Sequence, residues 1–310
     1  MRTLFWVGLA IMLSAGGAIQ ADVSGVSAEF QTYMLAHHYA AAQLDRAGNT
    51  NKQTIDVKID GKTVTLVFDS GADHTLISAD CARRLHLNVQ VTKFAVTGVG
   101  GKVNGVYGLA LIQSFTIGGY PINRTNTIAV IPDTGKLGWA QDGLFGLDFM
   151  HLNAAILPVG GHGFLFKPGP APRVPIDSYM NRLAFKPIQM AVENGAFVAN
   201  GHLNGQPFHA RIDSGSDFTV FDLAFVRKVL GRNPVFMNFS FSGLDGKEFD
   251  GYRFTPASMD LAGVSIPPVT IVATDMPGIT QIGTNALFGY DLLALHDSVI
   301  DTGTGTLWLK

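Results

Sequence analysis

Cysteine is almost absent from this chain: Cys81 is the sole one in 310 residues, so no internal disulfide can form. A disulfide-built extracellular scaffold is excluded, and the core must come from apolar packing. Charge is also sparse. Asp, Glu, Lys and Arg supply 15% of residues, the formal net charge is −2, and no basic cluster exceeds the pair Arg83-Arg84. Nucleic-acid and anionic-membrane binding both need a concentrated basic footprint, so neither is expected. The chain shows no phosphate-binding loop, no metal-spaced His/Cys/Asp set and no Ser–His pair placed for a triad. Cys81 falls in Ser78-Ala79-Asp80-Cys81-Ala82-Arg83-Arg84-Leu85, a short helix expected to be capped by Ser78. Ile77, Cys81 and Leu85 share one side of it, so the thiol is expected to be buried and structural.

Glycine, by contrast, is plentiful at 36, and 14 prolines accompany it. That composition suits many short strands joined by tight turns. Two stretches then repeat each other: Phe68-Asp69-Ser70-Gly71-Ala72-Asp73-His74-Thr75 and Ile212-Asp213-Ser214-Gly215-Ser216-Asp217-Phe218-Thr219. Each follows a strand-like run, Val64 to Phe68 and Phe208 to Ile212, and the first aspartates lie 144 residues apart (69 to 213). The copying extends outward. Asp60-Gly61 and Asn204-Gly205 are hairpin-turn signals placed alike before each motif. Phe94-Ala95-Val96-Thr97-Gly98 recurs as Phe239-Ser240-Phe241-Ser242-Gly243, and Leu144-Phe145-Gly146-Leu147-Asp148 as Leu287-Phe288-Gly289-Tyr290-Asp291. Four matched blocks in one order mark a duplicated unit, and self-similarity at this scale outranks any single motif.

The paired motifs resemble those of the retropepsin-like aspartic peptidases, in a single-chain form carrying both halves. In that family each half supplies a hydrophobic-hydrophobic-Asp-Thr/Ser-Gly-Ala/Ser loop and, later, two hydrophobic residues followed by Gly. Leu144-Phe145-Gly146 and Leu287-Phe288-Gly289 fill the second role here, and the resemblance covers roughly residues 53–167 and 196–310. It implies an all-β, bilobal, pepsin-like acid-protease fold: two homologous barrel-like lobes related by a pseudo-twofold axis, with the active site between them. It also implies catalytic Asp69 and Asp213, loop support from Ser70, Gly71, Ser214 and Gly215, and hydroxyl bonds from the two serines across the axis. Two adjacent carboxyls cannot both ionise, so one residue type supplies acid and base for a single water. Asp73 and Asp217 are expected to accept substrate N–H groups, and Gly98, Gly100, Gly101 and Gly243 to lie in flap-like turns over the cleft. Viral members carry Arg after the second-motif Gly; Leu147 and Tyr290 stand there in this chain, so the ion-pair network around that Arg should be missing. The flap turns also differ, Gly98-Val99-Gly100-Gly101 against Gly243-Leu244-Asp245-Gly246, which argues against equal roles.

The remaining segments complete the expected layout. Arg2, an apolar run from Leu4 to Leu13 and small residues up to Ala21 follow the order of a secretory signal peptide (1–21), with cleavage expected after Ala21. The run is too short for a stable membrane span, which needs about 20 apolar residues. Residues 22–52 are expected to form a helical extension, with the helix running from Ser27 to Arg46; His37 and His38 are adjacent and so not spaced to chelate a metal. Residues 168–195, opening on Pro168-Gly169-Pro170-Ala171-Pro172, are expected to be a stiff linker between lobes at 53–167 and 196–310. The functional expectation is a periplasmic or secreted aspartic endopeptidase that is active as a monomer, acts on a peptide or protein and uses no metal or organic cofactor. The alternatives are a non-catalytic peptide-binding protein of the same fold and a narrow-specificity hydrolase of envelope or cell-wall peptides.

Overall fold

The two turn signals form matching hairpins. Asp60 and Gly61 have φ of +49° and +79°, and Asn204 and Gly205 have +48° and +77°, left-handed backbone that Asp, Asn and Gly tolerate best. The first turn joins Gln53–Ile59 to Lys62–Phe68, and the second joins Ala196–Leu203 to Gln206–Ile212. Each turn's side chain is reused: Asp60 accepts N–H bonds from Gln113 and Ser114, Asn204 from Ala257 and Ser258. The computed structural model describes residues 27–48, 50–93, 96–102, 105, 107–133, 141–169, 172–243 and 247–310. The expected leader, Phe94, Ala95 and Leu244-Asp245-Gly246 lie outside them.

Each hairpin anchors a ten-stranded sheet, and the two sheets repeat one topology. In the first, Gly143–Phe145 runs parallel to Lys62–Phe68 and antiparallel to Leu76–Ser78; in the second, Ala286–Phe288 does the same between Gln206–Ile212 and Val220–Asp222. The chain therefore leaves the hairpin, turns through the Asp-Ser-Gly loop and re-enters the sheet on the far side of an inserted strand. The loop is pinned between two strands of its own lobe. The helix containing Cys81, Ala79–Leu85, is capped by the Ser78 hydroxyl, which accepts the Cys81 N–H at 3.1 Å, and the thiol is buried.

A third sheet fuses the halves. Its six strands run in the order Ala40–Gln43, Gly163–Phe166, Ile156–Pro158, Val299–Asp301, Thr306–Leu309, Lys186–Gln189. The pseudo-twofold axis passes between Ile156–Pro158 and Val299–Asp301, which pair directly. The expected lobe boundaries need correction here. Helix stops at Ala36, and Ala40–Gln43, expected to be helical, is a strand paired with Gly163–Phe166. The segment 168–195, expected to be a spacer, contains the helix Asp177–Arg182, the strand Lys186–Gln189 paired with Thr306–Leu309, and the strand Ala191–Glu193.

The extension and the linker are in fact two copies of one helix-plus-strand piece. His38 and Ala184 both end their helices at positive φ, +65° and +64°. Tyr39 donates its N–H to Met34 and Phe185 to Met180, each at 3.1 Å. The left-handed residue and the edge vacancy in the base sheet outweigh the helix propensity of Ala40-Ala41-Ala42, which is a weak prior. Phe30, Met34, Met180, Phe185 and Trp308 then pack together as one buried cluster on the base sheet. The main core is continuous through both lobes, so neither lobe has a separate one. No helix among the described residues is long and apolar enough to cross a membrane.

Candidate active site

The two Asp-Ser-Gly loops meet at the pseudo-twofold axis, and the serines hold them there. Ser70 donates its N–H to the Ser214 hydroxyl at 3.0 Å, and Ser214 donates its N–H to the Ser70 hydroxyl at 2.9 Å. Each hydroxyl passes its own proton to the opposite strand, Ser70 to the Ile212 carbonyl at 3.1 Å and Ser214 to the Phe68 carbonyl at 3.3 Å. Both serines are buried, so four bonds satisfy all their polar groups on the side facing the other lobe.

The aspartates stand beside these serines. Asp69 accepts the Gly71 N–H at 2.8 Å; Asp213 accepts those of Gly215 and Ser216, both at 3.0 Å. The backbone N–H of each aspartate is tied to the inserted strand, Asp69 to Phe145 and Asp213 to Phe288, each at 3.0 Å. Backbone freedom does not explain Gly71 and Gly215, since neither has positive φ. Space is the reason instead. A Cβ on Gly71 would overlap the Asp213 carboxyl, and one on Gly215 would overlap the Asp69 carboxyl. Each glycine is thus the floor under the other lobe's acid, and the two carboxyls are in close approach.

Farther out, Thr75 and Thr219 lock the loops. Thr75 donates its N–H and hydroxyl to Asp148, both at 2.7 Å, while its hydroxyl accepts the Gly146 N–H at 3.0 Å. Thr219, Asp291 and Gly289 repeat the arrangement at 2.7, 2.8 and 3.0 Å. Asp148 and Asp291, one residue beyond Leu147 and Tyr290, therefore tie each second motif to its own Asp-Ser-Gly loop.

The electrostatics follow from the geometry. Burial first, then the neighbouring Asp213 charge, push the Asp69 carboxyl up to about 7; Lys52, the Gly71 N–H and Arg211 pull the other way without winning. Lys52 donates to the Gly215 carbonyl at 2.7 Å and pairs with Asp217 at 3.6 Å, bringing a cation from ahead of the first lobe onto the second lobe's loop. The site thus has a pair of acids, one of them with its pKa raised, and backbone donors around one small cavity of about 160 Å³, lined by Asp69, Asp213, Gly71 and Gly215 among others.

Comparison with known proteins agrees with this construction. Residues 55–149 match the family model Asp_protease_2, described as aspartyl protease. The whole architecture resembles the crystal structure of the aspartic proteinase from Irpex lacteus, with a TM-score of 0.52 and 14% identity over 87% of this chain and 96% of that one. The fold is that of a pepsin-like aspartic proteinase. The family match lies within the first half of the chain, and the structural likeness extends over both halves. Among curated protein sequences none matches.

Within this aspartic-proteinase fold the expected cleft residues divide. Gly98 and Gly243 line the dyad cavity from above. Thr97–Gly98 and Gly101–Lys102 form a small two-stranded flap, whereas in the second copy the longer strands Val235–Ser242 and Glu248–Phe254 pair antiparallel. The first flap rests on the other lobe: Gly278 donates its N–H to Val99 at 2.9 Å, and Lys247 donates to the Gly100 carbonyl at 2.8 Å. A Cβ on Gly101 would meet the Lys247 ammonium at 3.5 Å. Asp73 lines the dyad cavity and a larger one beside it, but Asp217 lines neither of them. Its carboxylate is held by the Asn51 N–H at 2.9 Å and by Lys52. Sequence reasoning missed Lys52 and Arg211, since nothing local marks either as near an acid dyad. A comparison of the copies could have found them: Lys52 stands opposite Ala196, and Arg211 opposite Val67.

Proposed function

We propose that this chain is an aspartic endopeptidase in which Asp69 and Asp213 hold and activate one water. The observation that carries the reading is the mutual packing of each carboxyl against the other loop's glycine, which leaves room for one shared proton and one small molecule. A pure binding cleft has no need of two acids forced together at that electrostatic cost.

In the proposed cycle the ionised carboxylate takes a proton from the water as its oxygen attacks the peptide carbonyl. The protonated carboxyl gives its proton to the carbonyl oxygen, which leaves a neutral tetrahedral diol. The carboxyl that took the water's proton then gives it to the amide nitrogen, while the other carboxylate takes a proton from a diol hydroxyl. The C–N bond breaks, releasing an amine and a carboxylic acid and restoring the pair with one proton. The two acidities belong to the pair rather than to either residue. Lys52, fixed by Gly215 and Asp217, favours the singly ionised state that this cycle requires.

The shared base sheet supports a monomeric active unit, because both acids reach the axis from one chain whose halves pair directly. Export to the periplasm or outside the cell is the reading of the N-terminal charged, apolar and small-residue order. The test is turnover of a broad peptide library by the mature chain against Asp69→Asn and Asp213→Asn. Each single variant should lose cleavage, and the double variant should be no worse than either. Cleavage persisting in either single variant overturns the dyad.

A further inference from the structure

The larger cavity beside the dyad, about 550 Å³, is lined by Asp73, Asp148, Leu109, Arg211, Ile279 and Ile282, among others. It is continuous with the dyad cavity, since Asp73, Val96, Thr97, Arg211 and Ile279 line both. One of these residues is out of pattern. Arg211 lies two residues before Asp213 on the strand Gln206–Ile212 and pairs in register with Leu287. The same register in the first copy pairs Val67 with Leu144. Val67 is fully buried in an apolar cluster with Leu76, Tyr107, Ile131 and Leu144. The matching cluster in the second copy, Val220, Val272, Met276, Ile279 and Leu287, has an arginine where the valine would be.

That arginine forms no ion pair with a carboxylate among the described residues, although its charge reaches Asp69 in the adjoining cavity. Its Nε is buried and has no hydrogen-bond partner. The acids of the cavity are engaged elsewhere. Asp148 takes the N–H and hydroxyl of Thr75 and the N–H of Phe149 on one oxygen, and its other oxygen lies 3.7 Å from His74. Asp73 lies 3.9 Å from the same imidazole. Leaving a guanidinium donor buried and unpaired costs free energy that a core valine would not, so the substitution calls for a partner arriving from outside. The planar fork of arginine suits a carboxylate, with two parallel N–H bonds. Apolar Leu109, Ile279 and Ile282 would cover the short aliphatic stem that carries it.

We propose that Arg211 makes this cavity a carboxylate-binding subsite, so that the chain selects peptides carrying Asp, Glu or a terminal carboxylate close to the bond over the dyad. The inference rests on the peptide-cleavage reading above, and binding measurements keep the two separable. Four non-cleavable peptides with a reduced central bond serve as probes: internal Glu, its Gln counterpart, and each sequence ending as free acid or as amide. Binding to the full mature chain at pH 6 is measured by calorimetry, alongside turnover of the ordinary-bond peptides.

The Glu peptide should bind about tenfold or more tightly than the Gln peptide, the effect of one charge-assisted bond. If the terminal carboxylate is the true ligand, acid against amide shows that ratio instead. Arg211→Gln should bring the ratio close to one, Arg211→Lys should keep part of it, and Arg211→Glu should invert it in favour of the Gln peptide. Should Arg211→Gln fail to fold, as judged by its melting curve, the Lys and Glu variants carry the test. Equal binding of all four peptides to the native chain, or a ratio unchanged in the folded variants, overturns the subsite. Cleavage without charge preference would leave the peptidase reading standing and remove this one. Carboxylate-selective binding with no turnover of any peptide would do the reverse.

Discussion

Removing the Ser70 hydroxyl should weaken both the fold and the proposed chemistry. Ser70→Ala deletes the acceptor for the Ser214 N–H at 2.9 Å and the donor to the Ile212 carbonyl at 3.1 Å. The position is fully buried, so no water replaces the lost partner. An orphaned buried N–H costs about 1–3 kcal/mol and the second lost bond about 0.5–1.5 kcal/mol, so the loss should be roughly 2–4 kcal/mol. In a chain of this size that lowers the melting temperature by about 1.5 °C per kcal/mol. Ser214→Ala should behave alike, because its bonds mirror those of Ser70 at 3.0 and 3.3 Å. Activity should fall as well, since the same bonds set the spacing of the two carboxyls and a displacement of about 1 Å can cost about 100-fold. Ser265→Ala, at an exposed strand position, is the control and should stay within about 0.5 kcal/mol of the native chain. Urea unfolding and peptide cleavage read out the three variants. If Ser70→Ala and Ser214→Ala both behave like the control, the crossed serine bonds do not hold the loops, and the reasoning fails.

Three further outcomes follow from the same geometry. The folded state holds the Asp69 proton more tightly than the unfolded chain, so this contribution to stability is full below the ordinary value of 3.8 and is lost as pH rises through about 7. Asp69→Asn should therefore gain melting temperature relative to the native chain across that window, and native cleavage should decline above it; a constant difference in melting temperature from pH 4 to 8 would count against the shared proton. Lys52→Met removes a charge that pulls the Asp69 carboxyl down, so the alkaline limb of the cleavage profile should move to higher pH, and an unmoved or lowered limb would contradict its role. Gly71→Ala places a methyl where the Asp213 carboxyl sits, so cleavage should drop by about 100-fold or more, and near-native cleavage would show that the carboxyls are not packed as described.

The duplication was legible because its marks are chemical and local. Asp60-Gly61 and Asn204-Gly205 need left-handed backbone, and Asp-Ser-Gly needs an acid, a hydroxyl and no side chain in order. From these came the two lobes, the loops and the inserted strands. The base sheet was not legible for the opposite reason. Its edge strands, Ala40–Gln43 and Lys186–Gln189, are specified by partners more than 100 residues away, Gly163–Phe166 and Thr306–Leu309. Locally, one copy reads as helix and the other as a proline-broken spacer. A faint signal did exist at an offset of 146, where Met34, Tyr39 and Gln43 align with Met180, Phe185 and Gln189.

What the repeat could not reveal is where the copies differ, and those differences gather at one end of the cleft. The residue just ahead of each hairpin touches the other lobe's fourth-position acid: Asn51 donates to Asp217 at 2.9 Å, and a Cβ on Gly195 would overlap Asp73. Beside Asn51 stands Lys52, which neutralises Asp217; beside Gly195 stands buried Ala196, which leaves Asp73 without a lysine. Arg211 replaces the core residue that Val67 represents in the other copy. With valine and alanine at both places, the two sides of the cleft would be equal there. Two substitutions to cations, each within electrostatic reach of Asp69, break that equality and act in the same direction on its acidity. The symmetric bonds therefore hold the two loops together, while the asymmetric cations both pull the Asp69 carboxyl down and, under the subsite proposed above, would make the two sides of a bound peptide unequal.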